Sequence, residues 1–426
     1  MLTLVPSGAS LVRTLLLLVP LVLLFGCDTE TTTLFDPDLQ AGPDPVLGGL
    51  APDPASIVLA GIDAVTLTGQ NFSATPSDNL VYFNQTRAEV LEASATQLIV
   101  RAPNVPGNDV GVRIAVLGAE NYSATLPYAL VSATTEVEGL LGTDEPGSVV
   151  VETATGDAVV AILDGDTQGG DDTGLIRLSA ATGRSNYLTA PQFLYSSIAF
   201  GPDNVIVGAR GQRALFRLPE GGPPQTYQAI SGSPNPTLVS VAFDDMGGVW
   251  TGSSNGNIYY VPAGGGSSEP SEVIGAVRAV AYFDSFLYAA VTRAGVSEIV
   301  RFPVMGGSML GPEELYATLS VDQGIATSIA VAQDGTLFVG TDFIERTSFR
   351  DPVYVISTDR VVEPLYTGIL GSQQSGGRVA IVNFAWDGGT GLYTIRRFEI
   401  GEAGSVANPL TITYDLVRIE TRTQGS

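Results

Sequence analysis

The chain has 426 residues, with 20 basic side chains against 44 acidic ones and no histidine; it also lacks lysine, so every basic side chain is arginine. A formal charge of −24 repels nucleic acid and anionic lipid surfaces, and no nucleic-acid partner is expected. The absence of histidine removes the commonest general base and the commonest ligand for zinc and copper.

Residues 1–26 carry one charged side chain, Arg13, ahead of an apolar run from Thr14 to Phe25 that only Pro20 interrupts. That run is shorter than the roughly 20 residues of a spanning helix, and its layout is that of a secretory signal peptide. It ends in Leu24-Phe25-Gly26-Cys27, and Cys27 is the single cysteine of the chain. These four residues resemble the bacterial lipobox, in which the signal is cut before a cysteine that carries lipid. The resemblance implies a lipoprotein whose thiol is consumed as a thioether. Each buried lipid methylene would contribute about 0.8 kcal/mol of membrane affinity. A mature chain without a thiol suits an oxidising envelope compartment, periplasmic or surface-exposed. Asp28 resembles the inner-membrane retention signal of enterobacterial lipoproteins, a rule that does not transfer to all bacteria, so inner and outer membrane both stay open.

Residues 27–46 are rich in Thr, Asp and Pro. They predict an extended tether reaching up to ~60 Å at about 3 Å per residue.

Residues 47–131 alternate short β-rich runs with Gly, Pro, Asn and Asp turns. Thr66-Leu67-Thr68-Gly69-Gln70-Asn71-Phe72, then Val81-Tyr82-Phe83, then Gln97-Leu98-Ile99-Val100 ahead of Pro103 resemble the immunoglobulin-like IPT/TIG domain. The resemblance implies a two-sheet sandwich that serves as spacer or interaction module. Gly69 and Asn71 would supply its turn geometry.

Residues 135–426 contain repeats. GLIRLS from Gly174, ALFRLP from Ala214, NIYYVP from Asn257, EIVRFP from Glu298, PVYVIS from Pro352 and DLVRIE from Asp415 align. Units such as SIAFGPDNVIVGA and SVAFDDMGGVWTGS precede most of them. Four short strands recurring every 40 to 50 residues or so is a β-propeller pattern, and about 290 residues at that period predicts six blades, with five and seven also open. The motif resembles NHL and gluconolactonase-like propellers. The expected fold class is all-β: an Ig-like sandwich followed by a propeller. Because few residues follow DLVRIE, the last blade needs an outer strand from elsewhere. The segment Thr135–Leu140 is placed to supply it and so cover an open edge.

Three clusters are candidate sites. Asp164, Asp166, Asp171 and Asp172 crowd a glycine-rich stretch that would wrap calcium, although Gln168 and Leu175 depart from the EF-hand pattern; the competing reading is a solvated loop. Arg177, Arg217, Arg301 and Arg418 share one register of the repeated strand. They would either ring an anion or pair with acids between blades. The aromatic runs Phe193-Leu194-Tyr195 and Phe283, Phe286 and Tyr288 are either blade-top contacts or core. No catalytic motif, phosphate loop or zinc spacing is present, so no catalytic residue and no cofactor beyond a possible calcium ion is assigned.

Two functions compete. One is a non-catalytic envelope lipoprotein, bound to the membrane through Cys27 and presenting both domains to an envelope protein or glycan. The other is a metal-dependent, gluconolactonase-like hydrolase with its site in the propeller channel. Oligomeric state and partner identity are not written in these residues.

Overall fold

The computed structural model describes residues 41–425, apart from 54–55, 165–173, 189–192, 233–234, 267–269, 274, 344–350, 372–376 and 403. No helix among them is long and apolar enough to cross a membrane. All but one of the regular elements are strands, and they form eight sheets.

Two sheets build the first domain. Val46–Ala51, Ala64–Gln70, Gln97–Arg101 and Glu89–Ala93 form one; Thr86–Arg87, Asn79–Phe83, Gly107–Val116 and Leu126–Leu130 form the other. Alternate residues point inward, as the period-2 pattern requires, so Val65, Leu67, Val81, Phe83, Leu98, Val100, Val112 and Ile114 are fully buried between the sheets. Gly69 is needed for close approach, because a Cβ there would lie 1.9 Å from the Val46 carbonyl oxygen. Asn71 takes a left-handed turn conformation at φ 61°. Its amide donates to the Asp44 carbonyl, and the Asp44 carboxylate accepts both the backbone and side-chain N–H of Asn121. The sandwich is therefore tied down from Asp44 onward.

The other six sheets are blades of four strands, the fourth of them with a short fifth strand, Met309–Leu310, beside its outer strand Glu314–Leu319. Their inner strands are Asp144–Val151, Ser197–Phe200, Leu238–Phe243, Ala276–Phe283, Ile325–Val331 and Arg378–Trp386, and in the first five blades the strands follow in chain order from the centre outward. These inner strands touch in sequence, and the last also touches the first, so the ring is closed at six blades. Glycines on the second strands let blades stack: a Cβ at Gly252 or Gly340 would lie 2.4 Å from Val277 or Ile381 of the following blade. The Asp of the repeated hairpin turn folds it locally. Asp244 Oδ1 accepts the N–H of Met246 and Gly248, and Asp387 Oδ1 those of Gly389 and Gly391. In the sixth blade Arg378–Trp386, Gly391–Ile400 and Thr411–Glu420 take their fourth strand from Thr134–Glu136. Val137 N–H extends this pairing to the Leu416 carbonyl at 2.8 Å. The sandwich meets this blade through an ion pair between Asp63 and Arg422.

Candidate functional site

The inner strands enclose a central channel of about 400 Å³. Their sequences stack in one register: Gly147-Ser-Val-Val-Val, Ser196-Ser-Ile-Ala-Phe, Val239-Ser-Val-Ala-Phe, Arg278-Ala-Val-Ala-Tyr, Thr327-Ser-Ile-Ala-Val and Val382-Asn-Phe-Ala-Trp. The fourth column puts Val150, Ala199, Ala242, Ala281, Ala330 and Ala385 on the channel wall, a belt of small apolar side chains. Around one mouth stand Ser196, Val239, Arg278, Thr327 and Val382; around the other stand Phe200, Phe243, Tyr282 and Trp386.

The second column explains where the polar groups go. Each inner strand is a sheet edge, and half of its N–H groups face away from the ladder. Ser148, Ser197 and Ser240 accept such an N–H from the next blade, that of Ile198, Val241 and Val280 respectively, at 2.9 to 3.1 Å. Asn383 Oδ1 accepts the Val149 N–H at 3.1 Å and the Ser148 hydroxyl at 3.2 Å. Ser196 and Thr327 donate their hydroxyls to backbone carbonyls, including Val239 and Ile381 of the neighbouring blades. Most channel hydroxyls are thus spent on joining blades.

Arg278 is different. It is exposed at the mouth, it carries the single charge among the described lining residues, and no acid among the described residues pairs with it. All five inner strands that carry a bulge place it in this first column, between Pro146 and Ser148, Leu238 and Ser240, Val277 and Ala279, Ala326 and Ser328, and Ile381 and Asn383. A bulge re-aims the extra residue, and in the fourth blade that residue is Arg278. The sequence signal was available: in the stacked register, Arg278 is the one charge in its column.

A central divalent cation of the kind that gluconolactonase-like enzymes hold needs oxygen donors converging on the axis. The described lining contributes no carboxylate, and its amides are Asn204 and Asn383, the second already committed between blades. These residues do not fit the ion.

The four register-sharing arginines sit in third strands, two ladder spacings or about 10 Å outside the inner ring. They do not converge. Arg177 pairs with Glu152 and Glu220 and lies 3.9 Å from Asp157; Arg217 pairs with Asp203, Arg301 with Glu314, and Arg418 with Asp387 and Glu420. For Arg177, burial pulls the pKa down, but the hydrogen bonds it donates to Glu220 and Glu152 outweigh it and the guanidinium ends above its ordinary value. In two blades the acid is the hairpin-turn Asp, 203 or 387, so the arginine clasps its own blade. Tyr195 and Tyr288 are core, while Phe193 is exposed beneath the Arg210 guanidinium at 4.1 Å. Cys27, Asp166, Asp171 and Asp172 lie outside the described residues, as does the side chain of Asp164. Among described residues, no group of three His, Cys, Asp or Glu side chains is arranged to hold a metal.

Residues 51–130 match the IPT/TIG domain family. No curated protein matches the chain. Among solved structures, it resembles a candidate phosphatase from Bacteroides thetaiotaomicron, with 10% identity over 91% of this chain and 98% of that one and a TM-score of 0.52. It also resembles a candidate gluconolactonase, with 14% identity over 68% of this chain and 93% of that one and a TM-score of 0.50. An auxiliary nutrient binding protein from Bacteroides thetaiotaomicron aligns over 90% of this chain and 98% of its own, with 9% identity and a TM-score of 0.46. At these identities the first two likenesses speak for the fold: an IPT/TIG domain followed by a propeller.

Proposed function

We propose that this protein is a non-catalytic binding protein of the bacterial cell envelope, held to a membrane by lipid on Cys27. Its propeller face around Arg278 would engage an envelope protein or glycan. The observation that carries the binding half is the channel lining, an apolar belt with one unpaired cation at its mouth and no carboxylate among the described residues. Such a surface can dock a partner or orient an anionic group but has neither a base nor a nucleophile activated by one. The lipobox-like ending at Cys27 and the Thr-, Asp- and Pro-rich sequence after it support the anchoring half.

Metabolic labelling with a lipid precursor tests the anchor: wild-type protein carries label and fractionates with membranes, and Cys27→Ala does neither. Capture from envelope extracts tests the face. Arg278→Glu reverses the one charge at the mouth and loses the partner that wild-type protein retains. Calcium-dependent lactone hydrolysis, accompanied by a calcium-induced rise in melting temperature, would replace this reading with the metal-dependent hydrolase.

A further inference from the structure

On the opposite face, where the inner strands end, a cleft of about 260 Å³ opens between the second and third blades. Pro202, Tyr227, Phe243 and Met246 form its apolar walls, and the Asp203–Arg217 pair supplies its polar edge. Arg217 departs from the other arginines of its register. Arg177 and Arg418 each hold at least two acids, and Arg301 holds Glu314 between the rings of Phe286 and Tyr316. Arg217 has one partner, Asp203 at 2.5 Å, and both side chains remain open, 41% and 51% exposed. Among the described residues only its Nη2 is engaged, which leaves Nε and Nη1 to donate. Asp203 Oδ1 accepts the Val205 N–H at 3.2 Å, and both of its oxygens keep a free lone pair. The Tyr227 hydroxyl stands near this pair. Burial first, then the charge of Asp203, pushes its pKa up, so it stays a neutral donor and acceptor.

The pair's charges cancel, and the chain as a whole carries −24, so an anion gains little here. The polar edge offers donors and acceptors side by side, the pattern that matches vicinal hydroxyls. The rings and the Met246 thioether offer flat apolar surface for the C–H face of a saturated ring. The volume falls just below the ~300–1,000 Å³ of pockets for drug-sized ligands, which suits one ring.

We propose that this cleft binds a single neutral sugar ring, with Arg217 and Asp203 holding its hydroxyls and Tyr227 and Phe243 its apolar face. The inference rests on reading the propeller as a binding module and names one ligand class for it, at a second place. Methyl-labelled methionine gives a direct test on the full-length protein. Met246 at the rim is 65% exposed, and Met305 and Met309, at 64% and 60%, are matched controls on another blade. Titration with glucose and with galactose should shift Met246 alone for at least one of them. Arg217→Met should weaken that response about tenfold, the equivalent of one charged hydrogen bond. Tyr227→Phe, which keeps the ring, should weaken it less. A methyl glycoside binding more tightly than the free hexose would mark the site as one for a chain end, and equal binding as one for the free sugar. Absence of a Met246 shift, a shift that persists in Arg217→Met, or tighter binding of glucuronate than of glucose overturns the assignment. If it falls while capture through the Arg278 mouth persists, the binding reading stands without this site.

Discussion

The Ser148 hydroxyl oxygen accepts the backbone N–H of Ile198 at 3.0 Å, across the boundary between the first and second blades. Ser197 and Ser240 repeat the bond with Val241 and Val280. Propeller closure brings edge strands together without a ladder between them, and these serines satisfy amides that water cannot reach. Ser240→Ala should therefore leave the Val280 amide unpaired and cost about 1–3 kcal/mol. Ser328 occupies the same column in the fifth blade, 3% exposed, but its hydroxyl has no partner among the described residues. Ser328→Ala should be neutral or stabilising. Urea unfolding of the two variants side by side separates a bond from a buried orphan.

The sixth blade depends on a strand from the start of the domain. Thr134, Thr135 and Glu136 pair with Ile419, Arg418 and Val417, and Val137 N–H continues to Leu416. A proline at 137 removes that donor and fixes φ. Val137→Pro should lower the melting temperature and speed amide exchange along Thr411–Glu420. Exchange along the first domain's strands, such as Gly107–Val116, should stay as in the wild type.

Blade number was legible because the third strand repeats L-x-R or its equivalent and three of the inner strands repeat S-I/V-A, and the borrowed outer strand because too few residues follow DLVRIE to form one. The IPT/TIG segment was legible for the same reason: Gly69 and Asn71 sit where backbone approach and a left-handed turn leave few alternatives. The arginine register was equally visible, but a register gives phase along a strand and not distance from the axis. Arg177, Arg217, Arg301 and Arg418 share a phase two strands outside the channel, where turn aspartates and neighbouring glutamates meet them. Arg278 escaped notice because in Ala276-Val-Arg-Ala-Val it reads as an ordinary outward residue of an alternating strand. The bulge between Val277 and Ala279 breaks that alternation and re-aims it toward the mouth.

Arg378 and Glu399 form a buried pair at 3.1 Å, with side chains 7% and 11% exposed, and Glu399 also meets Arg397 at 3.3 Å. Glu399 is the acid that both Arg378 and Arg397 meet away from water. Glu399→Gln should destabilise by roughly 3 kcal/mol. The exposed pair Arg101–Glu89, at 51% and 68%, gives the contrast: Glu89→Gln should change stability by less than about 0.5 kcal/mol. Repeating both measurements in high salt should shrink the small effect and leave the large one in place.

The pH dependence follows from what the chain lacks. Without histidine or lysine, and with Cys27 the one thiol, no other side chain titrates between the carboxylates and the tyrosines, so stability should be level from about pH 6 to pH 10. Above that, four tyrosines act together. Burial, in each case the largest cause, pushes Tyr187, Tyr195, Tyr260 and Tyr366 up to about 12. Nearby acids add to this for three of them: Glu220 and Glu152 for Tyr187, Asp244 for Tyr260, and Glu420 and Asp63 for Tyr366. An unfolded tyrosine releases its proton near pH 10, before the folded one does. The contribution is therefore complete below about pH 10 and lost as the pH rises toward 12. Urea midpoints should hold flat and then fall through that window, with tyrosinate absorbance for these four rings appearing only on unfolding. Tyr366 hydroxyl donates to the Glu420 carbonyl at 2.5 Å, so Tyr366→Phe should lower the plateau while making the alkaline fall shallower. A midpoint that already declines between pH 7 and pH 9 would mean that a group other than these tyrosines controls the fold.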